Sequence, residues 1–169
     1  MEIRHLAPFD GRIEVSHIYE EGWKFAYRGI IPQSYLDGIP EGNWASCLDR
    51  EGVHSLVIVE DGKLIGTSSY CKSRVREFGG YGEIISIYLL PSYVGRGYGK
   101  KLLHTVMDEL SKLGYRDIFL WVLEENHRAR RFYEKEGLMC DDTHTQIEIG
   151  GQELREVRYS CRMDEKQTK

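Results

Sequence analysis

The sequence predicts an α/β domain, because apolar runs of strand length alternate with stretches of helical periodicity. The apolar run from Ile84 to Leu90 stops at Pro91, and a glycine-rich turn follows it. A second apolar run, 118–123, also precedes a helical pattern. Because 169 residues is a usual length for one domain, we expect a single domain over residues 1–169. The helix after the first run has its apolar stripe at Leu102, Leu103, Val106, Leu110 and Leu113.

The N-terminal half is predicted to hold a strand, a helix and a hairpin. Residues 2–6 alternate enough for a short strand, and apolar side chains from residue 15 to residue 26 lie on one helical face. Two further runs, 55–60 and 64–70, are predicted as strands. The Asp61-Gly62 pair between them is a strong signal for a hairpin turn.

The C-terminal half continues with a strand, a helix and a second hairpin. The run 118–123 is a buried strand, and Asn126 is a good N-cap for a helix over residues 127–136. A final hairpin is predicted over residues 146–163. Residues 164–169 form a polar tail, which we expect to be frayed.

Composition limits the function classes. The apolar fraction of 41% and the charged fraction of 30% are ordinary for a soluble globular protein. No apolar run approaches the ~20 residues that span a membrane, and the first residues lack the apolar core of a signal peptide, so we expect a cytoplasmic protein. The net charge of −4 argues against nucleic-acid binding. The four cysteines form no C-x-x-C pair, which favours reduced thiols and no metal site.

The glycine-rich turn has the features of an anion site. The first amides of a helix have no internal partner, and the helix dipole makes that end positive. Glycines at 95, 97 and 99 remove the Cβ atoms that would keep a phosphate from the backbone. A plain strand–turn–helix connection would need only one or two glycines, so we favour a phosphate cradle. The positive charges in this stretch belong to Arg96, Lys100 and Lys101.

Two common nucleotide-binding patterns fail on individual residues. The dinucleotide pattern G-x-G-x-x-G needs a glycine at position 100 or 102, where the chain has Lys100 and Leu102. The P-loop pattern needs a glycine and a Ser or Thr where the chain has Val94 and Lys101. A nucleotide-binding regulator is therefore disfavoured.

The glycine turn resembles motif A of the GNAT acyl-CoA N-acyltransferases. The segment Gly95–Gly99 follows a strand that ends Ile87–Pro91, and the family pattern is [Q/R]-x-x-G-x-[G/A]. Gly97 and Gly99 occupy the last two positions of that pattern. Val94 stands at its first position and departs from it, which removes one side-chain contact and leaves the backbone amides in place.

A second stretch resembles motif B of the same family. It consists of Trp121–Asn126, Ala129, Phe132–Glu134 and Gly137-Leu138. Together the two motifs extend the resemblance over residues 56–138. The resemblance implies the GNAT fold, a mixed, twisted α/β sheet of six or seven strands with about four helices.

The resemblance also implies a cosubstrate, acetyl-CoA, and the residues that bind it. In the family the loop amides bind the pyrophosphate, and the cofactor arm pairs with the strand before the loop. By position, the backbone N–H of Leu89 would meet the thioester carbonyl. The cofactor-binding set implied in this way is Tyr88, Leu89, Gly95, Arg96, Gly97, Tyr98, Gly99, Lys100 and Asn126.

Two catalytic residues follow from the resemblance. Tyr133 is the candidate acid for the leaving thiolate, and Glu83 is the candidate base, with Glu124-Glu125 as rivals. No cysteine lies in a motif, so direct attack by the amine is more economical than an acyl-cysteine intermediate. Regular strand alternation predicts which side chains share the face of Glu83; these are Ile85, Ile87 and Leu89.

The aromatic-rich region after the first helix has two interpretations, which the sequence leaves open. It is either packing beneath the sheet or, as the resemblance implies, part of a pocket for the acceptor. Its aromatic side chains are Trp23, Tyr27, Tyr35 and Trp44.

We therefore expect an N-acetyltransferase that acts on a primary amine of a small molecule or a protein. The alternative is a non-catalytic domain that senses acyl-CoA, although retention of Asn126 and Tyr133 argues against it. No metal, nucleic acid or membrane is expected as a partner. Pairing of two copies into a homodimer is left open.

Overall fold

Seven strands form one mixed sheet in residues 1–163, the part of the chain that this computed structural model describes. The strands are β1 (Glu2–His5), β2 (Val53–Glu60), β3 (Lys63–Lys72), β4 (Gly82–Leu89), β5 (Asp117–Leu123), β6 (Met139–Ile149) and β7 (Gln152–Arg162). Their order across the sheet is β1-β2-β3-β4-β5-β7-β6. Each neighbouring pair is antiparallel except β4 and β5, which are parallel.

Four α-helices pack on the two faces of the sheet in the described part of the chain. They are α1 (Arg12–Ala26), α2 (Gln33–Asp37), α3 (Tyr98–Lys112) and α4 (His127–Lys135). Three single turns of 3-10 helix lie at Ala45–Cys47, Arg76–Phe78 and Pro91–Tyr93. The predicted α/β class, the mixed sheet and the number of helices are confirmed, whereas the extent of the domain over residues 1–169 stays a prediction.

The predicted stripe of α3 is buried against one face of the sheet, except at its end. Leu102, Leu103, Val106 and Leu110 are all fully buried. Since full burial of such a side chain stabilises by about 1.5–3 kcal/mol, this stripe anchors the helix. Leu113 was expected in the stripe but is 51% exposed, because the helix ends at Lys112.

The opposite face of the sheet is covered by α1. Val15, Ile18 and Tyr19 are buried from the helix, and they pack against Val57 and Leu64 of the sheet. The core therefore has two layers, one on each side of the sheet.

Both predicted hairpins are present, but only the first lies where it was predicted. Between β2 and β3 the φ angles of Asp61 and Gly62 are 50° and 75°, as a two-residue hairpin turn with positive φ at both positions requires. The second hairpin was predicted to start at residue 146, but β6 starts at Met139. A register shift between Cys140 and His144 interrupts the alternation there, so the first part of the strand was missed. The predicted polar tail, 164–169, lies outside the described residues.

A bulge in β4 shows that the predicted set of side chains on the face of Glu83 was wrong. Tyr70 of β3 pairs with Ile84, but the preceding Ser69 pairs with Ser86, so Ile85 has no partner. Regular alternation is broken at that residue. Glu83 therefore does not share a face with Ile87 and Leu89, which pack instead in the core beneath α3 with Ile84.

The strands β4 and β5 separate soon after they begin. Their pairing covers only three residues of β4, from Gly82 to Ile84. β5 stays paired with β7 along its whole length, and β4 stays paired with β3. A cleft therefore opens in the interior of the sheet, beside the second half of β4.

The close approach of α1 to β4 gives a test of this packing. A Cβ atom at Gly22 would lie 2.7 Å from Cδ1 of Tyr88. We expect Gly22→Ala to lower the free energy of unfolding, because overpacking costs about 1–3 kcal/mol and the gain in helix propensity is at most about 1 kcal/mol. Urea denaturation monitored by circular dichroism measures the difference. In a Tyr88→Ala background, which removes the nearest ring atom, the same substitution should no longer destabilise; an equal loss there would contradict the proposed clash.

Candidate active site

A cavity of about 290 Å³ fills the cleft between β4 and β5, and we call it the cleft cavity. Among the predicted site residues, Glu83, Tyr88, Asn126 and Tyr133 all line it. These side chains come from β4, from the start of α4 and from the interior of α4. The fold therefore brings the candidate catalytic pair together with part of the candidate cofactor set.

The open edge of β4 presents its backbone to this cavity. The N–H of Leu90 donates to the carbonyl of Ile65 on β3, at 2.9 Å. In an antiparallel pair, backbone groups point alternately toward and away from the partner strand. The N–H of Leu89 therefore points away from β3, toward the cleft, where β5 no longer pairs with it.

The glycine turn opens α3 with an unusual backbone. The φ angles of Gly95 and Gly97 are 83° and 85°, a region that residues with a side chain rarely adopt. Gly97 is the N-cap of α3, and no side chain caps the first turn. A Cβ atom added at either glycine would have no neighbour within 4 Å. The loop thus presents free helix amides to open space, where a phosphate group could bind.

Gly99 differs from the other two glycines of the turn. Its φ angle is not positive, and a Cβ atom there would lie 3.7 Å from Leu89 and from Phe132, which is ordinary contact. The same contacts show that the start of α3 adjoins both the open edge of β4 and α4. The loop and the cleft are therefore neighbours.

The cations of the loop are held in different ways. The guanidinium of Arg96 stacks over the ring of Tyr93 at 5.5 Å. The Nζ of Lys100 lies 3.2 Å from Oε2 of Glu136, which also accepts from Nε2 of His104 at 2.8 Å. Part of the positive charge of Lys100 is thus compensated within the protein.

The hydroxyl group of Tyr98 is also engaged within the protein. It donates to Oε1 of Glu60 at 3.0 Å. What Tyr98 offers to a ligand is therefore its backbone N–H at the first position of α3.

Asn126 caps α4 with its side-chain oxygen, and its side-chain NH2 group remains available as a donor. Its Oδ1 accepts from the N–H of Ala129 at 3.1 Å, and the residue is 7% exposed. Its Nδ2 has no hydrogen-bond acceptor in residues 1–163. This amide group can therefore donate into the cleft cavity that it lines.

Tyr133 lies at the base of the cleft and is 7% exposed. Burial raises the pKa of its hydroxyl well above the ordinary value, and the nearby hydroxyl of Tyr27 raises it further. The group is therefore protonated at neutral pH and can act as a proton donor. Tyr27 itself is bonded to the hydroxyl of Tyr88 at 3.0 Å.

Glu83 is buried and ion-paired, not a solvated carboxylate at a strand end. It is 2% exposed, and Nη2 of Arg74 lies 2.6 Å from its Oε1. The Arg74 side-chain Nε and backbone N–H also donate to Oε2, at 3.1 and 2.9 Å. This pairing raises the pKa of Arg74 and occupies both carboxylate oxygens.

Glu156 is a candidate that the sequence analysis missed. It lies on β7 opposite Leu123 and lines the cleft cavity together with Glu83. Burial raises the pKa of its carboxyl, and the charge of Glu83 adds to the rise, although Arg74 lowers it. The signal in the sequence was weak: one carboxylate between the buried Leu154 and Val157. The rivals predicted for Glu83, Glu124 and Glu125, do not line this cavity.

A second cavity, of about 260 Å³, adjoins the first, and we call it the aromatic cavity. Trp23, Arg74, Ser86 and Tyr88 line both cavities. The rings of Trp23 and Trp44 in the aromatic-rich region pack together at 5.2 Å, and both line the wall of this cavity. Their role in a pocket for the acceptor stays a prediction.

Residues 1–163 contain neither a cluster of metal-ligating side chains nor a helix that could span a membrane. No group of three or more His, Cys, Asp and Glu side chains there is placed to hold a metal ion. Within the same residues, no helix has the length and apolar character needed to cross a membrane.

This chain is similar in sequence to known acetyltransferases. The model of the acetyltransferase (GNAT) family matches residues 15–138. An N-acetyltransferase of Archaeoglobus fulgidus is 31% identical over 144 residues, which is 82% of this chain and 92% of that protein. A spermidine N(1)-acetyltransferase of Thermoplasma acidophilum is 29% identical, over 85% of this chain and 91% of that protein.

A solved structure shows the same fold. The crystal structure of the PaiA N-acetyltransferase from Thermoplasma acidophilum, in complex with coenzyme A, superposes with a TM-score of 0.76. The two chains are 23% identical, and the alignment covers 95% of this chain and 98% of the other. The family match and the archaeal relative show that this chain belongs to the GNAT family of acetyltransferases and is an acetyl-CoA-dependent acyltransferase.

Proposed function

We propose that the protein transfers an acetyl group from acetyl-CoA to the primary amine of a small molecule or a protein, by direct attack of the amine on the thioester. One observation carries the proposal: the cleft cavity between β4 and β5 is lined by Tyr88 on the open edge of β4, by Asn126 and Tyr133, and by two carboxylates. Relatives support the reaction class, since one is named for spermidine and another for the alanine of a ribosomal protein.

The binding of the cosubstrate is proposed to use backbone groups more than side chains. The amides that open α3, at Gly97, Tyr98 and Gly99, would hold the pyrophosphate, with Arg96 and Lys100 nearby. The open edge of β4 at Tyr88 and Leu89 would pair with the extended arm, as an added strand does. Asn126 would donate its free Nδ2 to the same arm.

The reaction needs three aids from the protein. The thioester supplies an acyl carbon that is already activated, but an amine such as lysine has a pKa near ~10.4 and is mostly protonated. We propose that Leu89 N–H stabilises the oxyanion. As the N–C bond forms and the C–S bond breaks, Tyr133 gives its proton to the departing thiolate, and a carboxylate takes the proton from the amine.

Glu83 is the proposed base, acting through water, and Glu156 is a second candidate. Glu83 lies in the cleft, but its oxygens accept from Arg74. A specific observation favours Glu156, because its carboxyl lines the same cavity and burial raises its pKa toward the working pH. Substitution and pH dependence separate the two.

The phosphate cradle is tested at Gly97. We expect Gly97→Val to weaken coenzyme A binding on the order of 10²-fold, because φ near 85° strains a β-branched residue and two charge-assisted hydrogen bonds of about 1.5 kcal/mol each would be lost. Isothermal titration calorimetry measures the affinity. The matched control is Gly99→Ala, whose Cβ fits and which should bind normally. Wild-type affinity in Gly97→Val would refute the cradle.

The acid is tested by Tyr133→Phe, which keeps the ring packing and removes the hydroxyl. We expect kcat to fall on the order of 10²-fold with unchanged coenzyme A affinity, in an assay of thiol release over a panel of amines. Tyr27→Phe is the matched control, since it also removes a cavity hydroxyl but should lower kcat less. Full activity in Tyr133→Phe would return that residue to a packing role. Binding of acetyl-CoA without thiol release from any amine would favour the sensor alternative.

The base is tested by comparing Glu83→Gln and Glu156→Gln across pH. A base works only when deprotonated, so the rate falls as pH drops through its pKa. If Glu156 is the base, its raised pKa places the drop in rate at a higher pH than an ordinary Glu would. Glu156→Gln should then remove this pH-dependent drop. If Glu83 is the base, Glu83→Gln lowers the rate at neutral pH. The rate of this variant then recovers at higher pH, because the amine loses its proton without help. Circular dichroism controls for folding, because Glu83→Gln breaks a buried ion pair.

A further inference from the structure

Aromatic rings form part of the wall of the aromatic cavity. The rings of Tyr19 and Trp44 stack at 5.7 Å with an angle of 17° between them, and Trp23 packs on Trp44 at 5.2 Å. The hydroxyl of Tyr19 is bonded to Ser69 at 2.8 Å and to Ser86 at 2.9 Å. These bonds satisfy the polar tip of Tyr19, so the part of Tyr19 that lines the cavity is apolar ring surface.

The position of these rings is fixed by the backbone around them. The N–H of Trp44 donates to Oγ of Ser16 on α1, at 2.9 Å. The aromatic part of the cavity wall suits an apolar body such as a methylene chain or an aromatic ring.

The charges of the two connected cavities are opposite in kind. The cleft cavity is lined by the carboxylates Glu83 and Glu156 and by the guanidinium of Arg74, which is paired with Glu83. In the described part of the chain, the aromatic cavity is lined by two guanidinium groups, Arg50 and Arg74, and by no carboxylate. An ammonium group is thus favoured at the reacting end and disfavoured at the other.

The two arginines of the aromatic cavity differ in their partners. Arg74 is paired with Glu83, but the side chain of Arg50 has neither a hydrogen bond nor an ion pair with any residue in 1–163. Its backbone is held, since its N–H donates to Cys47 and its carbonyl accepts from Val53. An unpaired guanidinium on a cavity wall can bind a carboxylate through two parallel hydrogen bonds.

We infer that the acceptor is a small amino acid-type molecule, with its amine in the cleft cavity, an apolar body in the aromatic cavity and a carboxylate bound by Arg50. This inference rests on the proposed function and specifies its substrate class. A polyamine fits less well, because its second ammonium would lie beside the unpaired charge of Arg50 and be repelled.

The test uses pairs of acceptors that differ only by a carboxylate. Thiol release is measured for tryptophan against tryptamine, phenylalanine against phenethylamine, and lysine against cadaverine, with spermidine and a short peptide with a free N-terminal alanine as further arms. We expect kcat/KM to be on the order of tenfold higher for the amino acid of a pair, the value of a charge-assisted bidentate contact.

Arg50→Gln identifies the residue responsible. It should raise KM for the amino acid on the order of tenfold and leave kcat unchanged. For the decarboxylated amine, both KM and kcat should stay as in the wild type. Arg50→Glu should reverse the preference. The matched control is Lys63→Gln, which removes the same charge from an exposed residue at the start of β3 that lines neither cavity.

Two kinds of result would contradict the inference about the acceptor, and a third would contradict the proposed function as well. Equal or better turnover of the decarboxylated amines, of spermidine or of the peptide overturns the inference and leaves the acetyl transfer standing. An equal loss for both members of a pair in Arg50→Gln also overturns it. No thiol release from any acceptor overturns the proposed function, and this inference with it.

Discussion

The site depends on one constraint: β4 must stay in the interior of the sheet while losing its partner on one side. From Ile85 onward its backbone groups no longer pair with β5, and unpaired backbone groups away from water are costly. The separation is sustained because β5 pairs with β7 over its whole length and β4 with β3. Each strand thus keeps a full ladder on its outer side, and the inner edges are left for a ligand that can pair like a strand.

The bulge at Ile85 lets one strand serve both the core and the site. Before it, Ile84 is buried beneath α3; after it, Ile87 and Leu89 join the same core. Without the extra residue, alternation would carry Ile87 and Leu89 to the opposite face. The bulge therefore keeps the apolar side chains under α3 while Glu83, Ser86 and Tyr88 line the cavities on the side of α1.

The sequence predicted the parts of the site whose geometry is local. The glycine turn, the N-cap Asn126 and the position of Tyr133 on α4 follow from spacing within a few residues, and the structure has these elements where they were expected. Glu156 and Arg74 could not be found in this way, because their approach to Glu83 depends on how β7 and the segment after β3 pack. The bulge was also not predicted, because an apolar run with one extra residue has the same sequence pattern as a regular buried strand.

Arg74 is what allows two carboxylates to share the cleft. Glu83 and Glu156 line the same cavity, and the charge of Glu83 raises the pKa of Glu156. The guanidinium of Arg74 opposes this rise at Glu156 while donating to both oxygens of Glu83. Because Arg74 also lines the aromatic cavity, it stands at the boundary where the electrostatic preference changes from ammonium to carboxylate. A half-exposed side chain thus contributes to the electrostatics of both cavities.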